Sequence, residues 1–131
     1  MANAPASRSD HRLYAPCRAA PFACAETAWF WTASCLRARQ ESCLRARQEA
    51  IPAPGPGPCR PEDVVKCLDG LYRQRRVELL HVRILRIWGW RGTAPNPARV
   101  RERCDWRLWH EAIGRLEWPL RVRGIVVAGL P

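Results

Sequence analysis

The chain has 131 residues, of which 47% are hydrophobic and 26% charged, and it carries a formal net charge of +10. That length accommodates about one domain with a single modest core and excludes a core plus a second catalytic domain. The hydrophobic share excludes wholesale disorder, even with 12 Pro and 8 Gly in the chain, because enough apolar surface is available to offset the entropy of folding.

Of the 22 basic residues, 21 are Arg and only Lys66 is Lys. A strongly basic balance points to a polyanion such as nucleic acid. Arg, Ala, Pro and Gly also have GC-rich codons, however, so part of the excess is attributable to genome composition. The seven Cys, at 17, 24, 35, 43, 59, 67 and 104, show no zinc or redox spacing. Their odd number argues against a disulfide framework and for reduced thiols that pack as small hydrophobes. The first twenty residues lack the apolar run of a secretory signal, and the longest aliphatic stretch, residues 124–130, is far too short for a membrane span,. A soluble, intracellular (cytoplasmic) protein with no membrane association is the expectation.

Residues 1–21 mix Ala, Pro, Ser and Arg without periodicity and predict a flexible tail,. Over 22–50, Phe22, Ala25, Trp29, Ala33, Leu36, Gln40 and Cys43 recur at spacings of three and four and predict an amphipathic helix,. This helix contains a tandem duplication, SCLRARQE at Ser34–Glu41 and again at Ser42–Glu49. Eight residues rotate a helix face by about 80°, so the two copies cannot present the same side chains to a core. The four-residue step does survive, and Arg37, Glu41, Arg45 and Glu49 predict a ladder of surface ion contacts,. The duplication reads as a tolerated insertion rather than a repeat unit, since solenoid repeats are longer and bury a hydrophobic face.

The alternating Pro and Gly of 51–60 predict a linker or hinge,. Residues 61–131 are expected to be the helical core, with three helices over about 61–120. The first begins with Pro61, followed by Glu62 and Asp63 in the first turn,, and should be short or bent at Gly70. After the basic turn at 73–76, a second helix carries Val77, Leu80, Ile84, Ile87 and Trp88 on one face and ends at Gly89 or Gly92. The third is expected to start at Asn96 as N-cap with Pro97 at its first position. It buries Trp106, Trp109, Ala112, Ile113 and Leu116, and stops at Pro119. The segment after it is too short to assign as strand or packed tail. The fold class is therefore all-α: a small helical bundle preceded by a long N-terminal helix, a Pro/Gly linker and a flexible tail.

No nucleophile with a base, no carboxylate pair, no metal-ligand spacing and no phosphate loop is present, so the chain reads as non-enzymatic, with no metal and no cofactor. His81 reads as a packed or boundary residue, and His110 and Glu111, adjacent on one helix, do not face each other. Two partners are compatible with the sequence. Nucleic acid, with DNA as the candidate, would be contacted by a basic helical hairpin carrying Arg73, Arg75, Arg76, Arg83, Arg86 and Arg91, in the outline of a helix-turn-helix,. Arg37 and Arg39, on the N-terminal helix, would then lie outside the site. Alternatively, another protein would be bound through Trp31, Trp90 and Trp118, the tryptophans outside the expected core stripes, with the protein acting as an adaptor,.

Overall fold

A computed structural model of the chain describes residues 19–44 and 54–127, with side chains up to 41 in the first of these segments. Four α-helices form: α1 (Ala25–Leu44), α2 (Pro61–Arg73), α3 (Leu79–Arg91) and α4 (Arg103–Val122). A short 3-10 turn, Val100–Glu102, leads into α4. The described residues contain no named strand; the single β-type contact is an isolated parallel bridge between Phe22 and Val126.

The first helix is not an appendage to the other three. It packs against α2, α3 and α4, whereas α2 and α3 pack mainly on their shared neighbours α1 and α4. Ala25, Ala28, Thr32, Ala33 and Ala38 are buried along it together with Trp29, and small side chains of this kind allow neighbouring helices to come close. Thr32 satisfies its hydroxyl within the helix by donating to the Ala28 carbonyl at 2.8 Å. Of the expected stripe, Ala25, Trp29 and Ala33 are buried, Leu36 is half-buried and Gln40 is exposed. The Arg37–Glu41 rung of the charge ladder forms at 3.3 Å; Arg45 and Glu49 lie outside the described residues, as do most of the second octet and residues 1–18 of the expected tail.

Three buried tryptophans join α1, α3 and α4 in a closed ring of hydrogen bonds. Trp29 Nε1 on α1 donates to the Leu85 carbonyl on α3 at 2.8 Å. Trp88 Nε1 on α3 donates to Asp105 Oδ2 on α4 at 3.0 Å. Trp109 Nε1 on α4 donates back to Glu26 Oε2 on α1 at 2.8 Å. Each indole thus buries its ring and places its one polar group on a different helix, which avoids the cost of an unmet donor.

Several boundaries depart from expectation for identifiable reasons. Pro61 opens α2, with Asp63 accepting from the Arg60 backbone N–H at 2.9 Å, but the helix runs through Gly70 to Arg73. In α3 the buried face is His81, Ile84, Leu85, Trp88 and Gly89. Leu80 and Ile87, expected inside, are 48% and 43% exposed, and Val77 is buried just ahead of the helix. Asn96 begins an Asx turn, accepting from the Ala98 N–H at 2.9 Å, and α4 itself starts seven residues later at Arg103. Pro119 does not stop α4. It removes one backbone donor near the helix end, while Leu120, the next residue, is completely buried and holds the last turn in register. The chain then returns along Phe22, with Phe22 N donating to the Ile125 carbonyl and Val127 N to the Phe22 carbonyl, both at 2.9 Å.

The Pro/Gly segment is packed where it is described. Trp31 Nε1 donates to the Gly55 carbonyl at 2.9 Å, and its ring lies so close to Gly57 that a Cβ there would sit 2.6 Å from it. Residues 54–60 therefore do not behave as an open hinge.

Candidate nucleic-acid interface

The six arginines expected to form one basic hairpin are separated by the fold. Arg73, at the end of α2, is 3.0 Å from Asp69. Arg75 is exposed in the turn, with a positive φ of 61°. Arg76 lines a recess between α2 and α4. Arg83, Arg86 and Arg91 lie on α3 and line a different recess, against α1. The hairpin also lacks the polar residues that a reading helix presents at its first turn. Leu79 and Leu80 stand there instead, 63% and 48% exposed.

The α1–α3 recess is an open groove of about 890 Å³. α1 and α3 run side by side, as shown by Trp29 bonding to Leu85 and by Arg37 Nη1 donating to the Trp90 carbonyl at 3.0 Å. Arg37 and Gln40 line one wall; Arg83, Arg86, Trp90 and Arg91 line the other. Arg37 is therefore part of this site, contrary to its expected position outside it. Glu41 offsets some of its charge at 3.3 Å. Arg91 is held over the Trp88 ring, 4.5 Å from its centroid, in a cation–π contact,. Among the described residues no acidic side chain pairs with Arg83 or Arg86, and both are exposed. The groove thus combines two anchored guanidiniums, two unneutralised ones and a half-buried indole.

The three tryptophans considered for a protein partner have different surroundings. Trp31 packs on the linker and on Phe22, with ring centroids 5.3 Å apart, so it is a structural residue. Trp90 lines the basic groove. Trp118 is 69% exposed on α4 and lines the α2–α4 recess. A third recess, between α2 and α3 beside their connecting turn, is lined almost wholly by apolar side chains, including Val65, Tyr72 and Leu79.

His81 is buried and bridges two helices. Its Nδ1 accepts from the Glu78 backbone N–H at 3.0 Å, and its Nε2 lies 3.0 Å from Glu111 Oε1 on α4. With Nδ1 acting as acceptor, Nε2 carries the proton and donates it to the carboxylate. The hydrogen bond from His81 holds the Glu111 carboxyl below the ordinary carboxylate range. Sequence proximity drew attention to His110, which instead stacks on Trp106 at 5.0 Å. The long-range His81–Glu111 pair had no signal in local spacing. Burial pushes the thiols of Cys35 and Cys67 up from their ordinary range, which favours the protonated form at neutral pH. Among the described residues no cluster of three or more His, Cys, Asp or Glu is placed to hold a metal ion, and no helix is long and apolar enough to cross a membrane.

In comparison with known proteins, no family model, no curated protein and no solved structure matches the chain.

Proposed function

We propose that the protein binds single-stranded nucleic acid along the α1–α3 groove and performs no chemistry on it. The observation that supports this reading is the convergence of Arg37, Arg83, Arg86 and Arg91 around Trp90 in one open recess. Arginines suit phosphate because their planar donors meet its oxygens in pairs, and an indole offers a face on which any base can stack. A single strand fits this shape better than a duplex. Reading a duplex requires an element that projects into a major groove about 12 Å wide, whereas these side chains line a depression between two adjacent helices.

Titration with a short oligothymidylate at several salt concentrations tests the reading. Affinity should fall with salt, with a log–log slope of about 0.7 for each phosphate neutralised on a single strand. Trp90→Ala should weaken binding by roughly 1–3 kcal/mol, and Trp90→Phe, which keeps an aromatic face, by much less. Absence of binding at low salt contradicts the reading. The apolar recess of Val65, Leu68, Tyr72, Leu79 and Val82 supports a second reading, an adaptor that binds another protein,, and that reading takes over if no nucleic acid binds.

A further inference from the structure

The α2–α4 recess repeats the composition of the first groove on elements that the first groove does not use. It encloses about 430 Å³ and is lined by Lys66 from α2, Arg76 from the turn, and Arg115, Trp118 and Arg123 from or just after α4. Four cations again surround one tryptophan, and this tryptophan is the most exposed aromatic among the described large hydrophobic side chains. Arg115 is pinned, its Nη1 donating to the Arg76 carbonyl at 3.0 Å, so one guanidinium is pre-positioned as Arg37 is in the first groove. Among the described residues no acidic side chain lines the recess. The two grooves share no helix, and the helices of one, α1 and α3, are bridged to those of the other through the core.

We propose that the α2–α4 recess is a second binding groove for single-stranded nucleic acid, so that one protein molecule holds two strand segments at once. The proposal rests on the reading of the first groove in choosing nucleic acid as the ligand, but its residues are separate and can fail separately. Charge selects a polyanion, and the exposed Trp118 face selects one that carries planar bases over a lipid headgroup or an acidic polypeptide. Two grooves give the protein the means to tether two strands, with the second contact favoured by the high local concentration that the first creates.

The test is the number of short oligothymidylate molecules bound per protein at low salt, read by calorimetry on the full chain. Two are expected for the wild type and one for the Lys66→Gln/Arg123→Gln variant, whose altered side chains are both exposed and whose melting temperature should be unchanged. Trp118→Ala should weaken the second site by roughly 5- to 100-fold and leave the first alone. No site lost in Lys66→Gln/Arg123→Gln relative to the wild type, or a single wild-type site that is lost in Arg83→Gln/Arg86→Gln instead, overturns the proposal. Displacement of the oligonucleotide from the second site by polyglutamate or anionic vesicles at equal charge also overturns it, assigning the groove to an acidic protein or a membrane surface. Loss of one site in Lys66→Gln/Arg123→Gln with no loss in Arg83→Gln/Arg86→Gln would contradict the reading of the first groove and leave this one standing.

Discussion

Arg75 occupies a backbone conformation usually given to glycine. α2 closes with Arg75 N donating to the Tyr72 carbonyl at 3.0 Å and Arg76 N to the Leu71 carbonyl at 2.8 Å, the paired bonds of a Schellman motif, and its left-handed position is filled by Arg75 with φ 61°,. α4 ends in the same pattern, Ile125 N bonding to Leu120 and Gly124 N to Arg121, but with Gly124 at the left-handed position. A side chain in that conformation costs roughly 1–2 kcal/mol, part of which returns as the lower entropy of the unfolded chain relative to Gly. Arg75→Gly should therefore stabilise the protein by up to about 1 kcal/mol, seen as a higher melting temperature. It should leave oligonucleotide affinity nearly unchanged, since Arg75 lines neither groove. A large loss of affinity in this variant would return the function to the hairpin. At this scale the sequence was readable where a residue acts on its own backbone, as Pro61 does at the start of α2. It was unreadable where another element supplies the partner, as Glu117 does when it accepts from the Ala25 N–H at 3.1 Å and so caps α1 from α4.

Close approach of α1 and α3 depends on Gly89. A Cβ at that position would lie 2.6 Å from Trp29 Nε1 and 3.0 Å from Ala33 Cβ, and Trp29 cannot retreat without giving up its bond to Leu85. Gly89→Ala should destabilise the protein by about 1–3 kcal/mol, because overpacking outweighs the gain in helix propensity. Gly114→Ala is the contrasting case: this glycine also sits inside a helix, but nothing lies within 4 Å of its missing Cβ. That variant should be more stable by about 0.5–1 kcal/mol. Thermal melts of the two would contradict this packing account if they shifted in the same direction. The element scale also shows why the inward face of α3 is only partly legible, with Val77, Ile84 and Trp88 buried as expected but Leu80 and Ile87 exposed. Leu79, Leu80, Val82, Ile84, Leu85, Ile87, Trp88 and Trp90 put apolar groups almost all round the helix, so periodicity alone could not fix which side turns inward. The central position of α1 was hidden for the opposite reason. Its buried face is mostly Ala and Thr, which register weakly as hydrophobic, although their small size is what lets three helices pack on it. Of the four tryptophans that spacing places inside, Trp29, Trp88 and Trp109 are buried while Trp106 is only half-buried, stacked on His110, and the hydrogen-bonded ring of the three has no signal in spacing.

Across the whole molecule, the net charge of +10 matters less than where the fold places it. The sequence identified Arg83, Arg86 and Arg91 as candidates but grouped them with Arg73, Arg75 and Arg76, because neighbours along a chain are the only neighbours a sequence displays. Folding regroups them by helix face, bringing Arg37 from about fifty residues away to the same groove as Arg91. Two concentrations of cations around single tryptophans result, on different helix pairs. If the charge were only an imprint of genome composition, affinity for nucleic acid would follow the number of arginines and not their position. Comparing Arg83→Gln/Arg86→Gln with Arg101→Gln/Arg107→Gln separates these cases, because all four side chains are exposed and each pair removes the same charge. The decisive measurement is the salt dependence of oligothymidylate affinity in these two variants. Arg83→Gln/Arg86→Gln should weaken binding and flatten the log–log slope by about 1.4, two contacts at roughly 0.7 each, while Arg101→Gln/Arg107→Gln stays close to the wild type. Equal losses in the two variants would contradict a defined α1–α3 site.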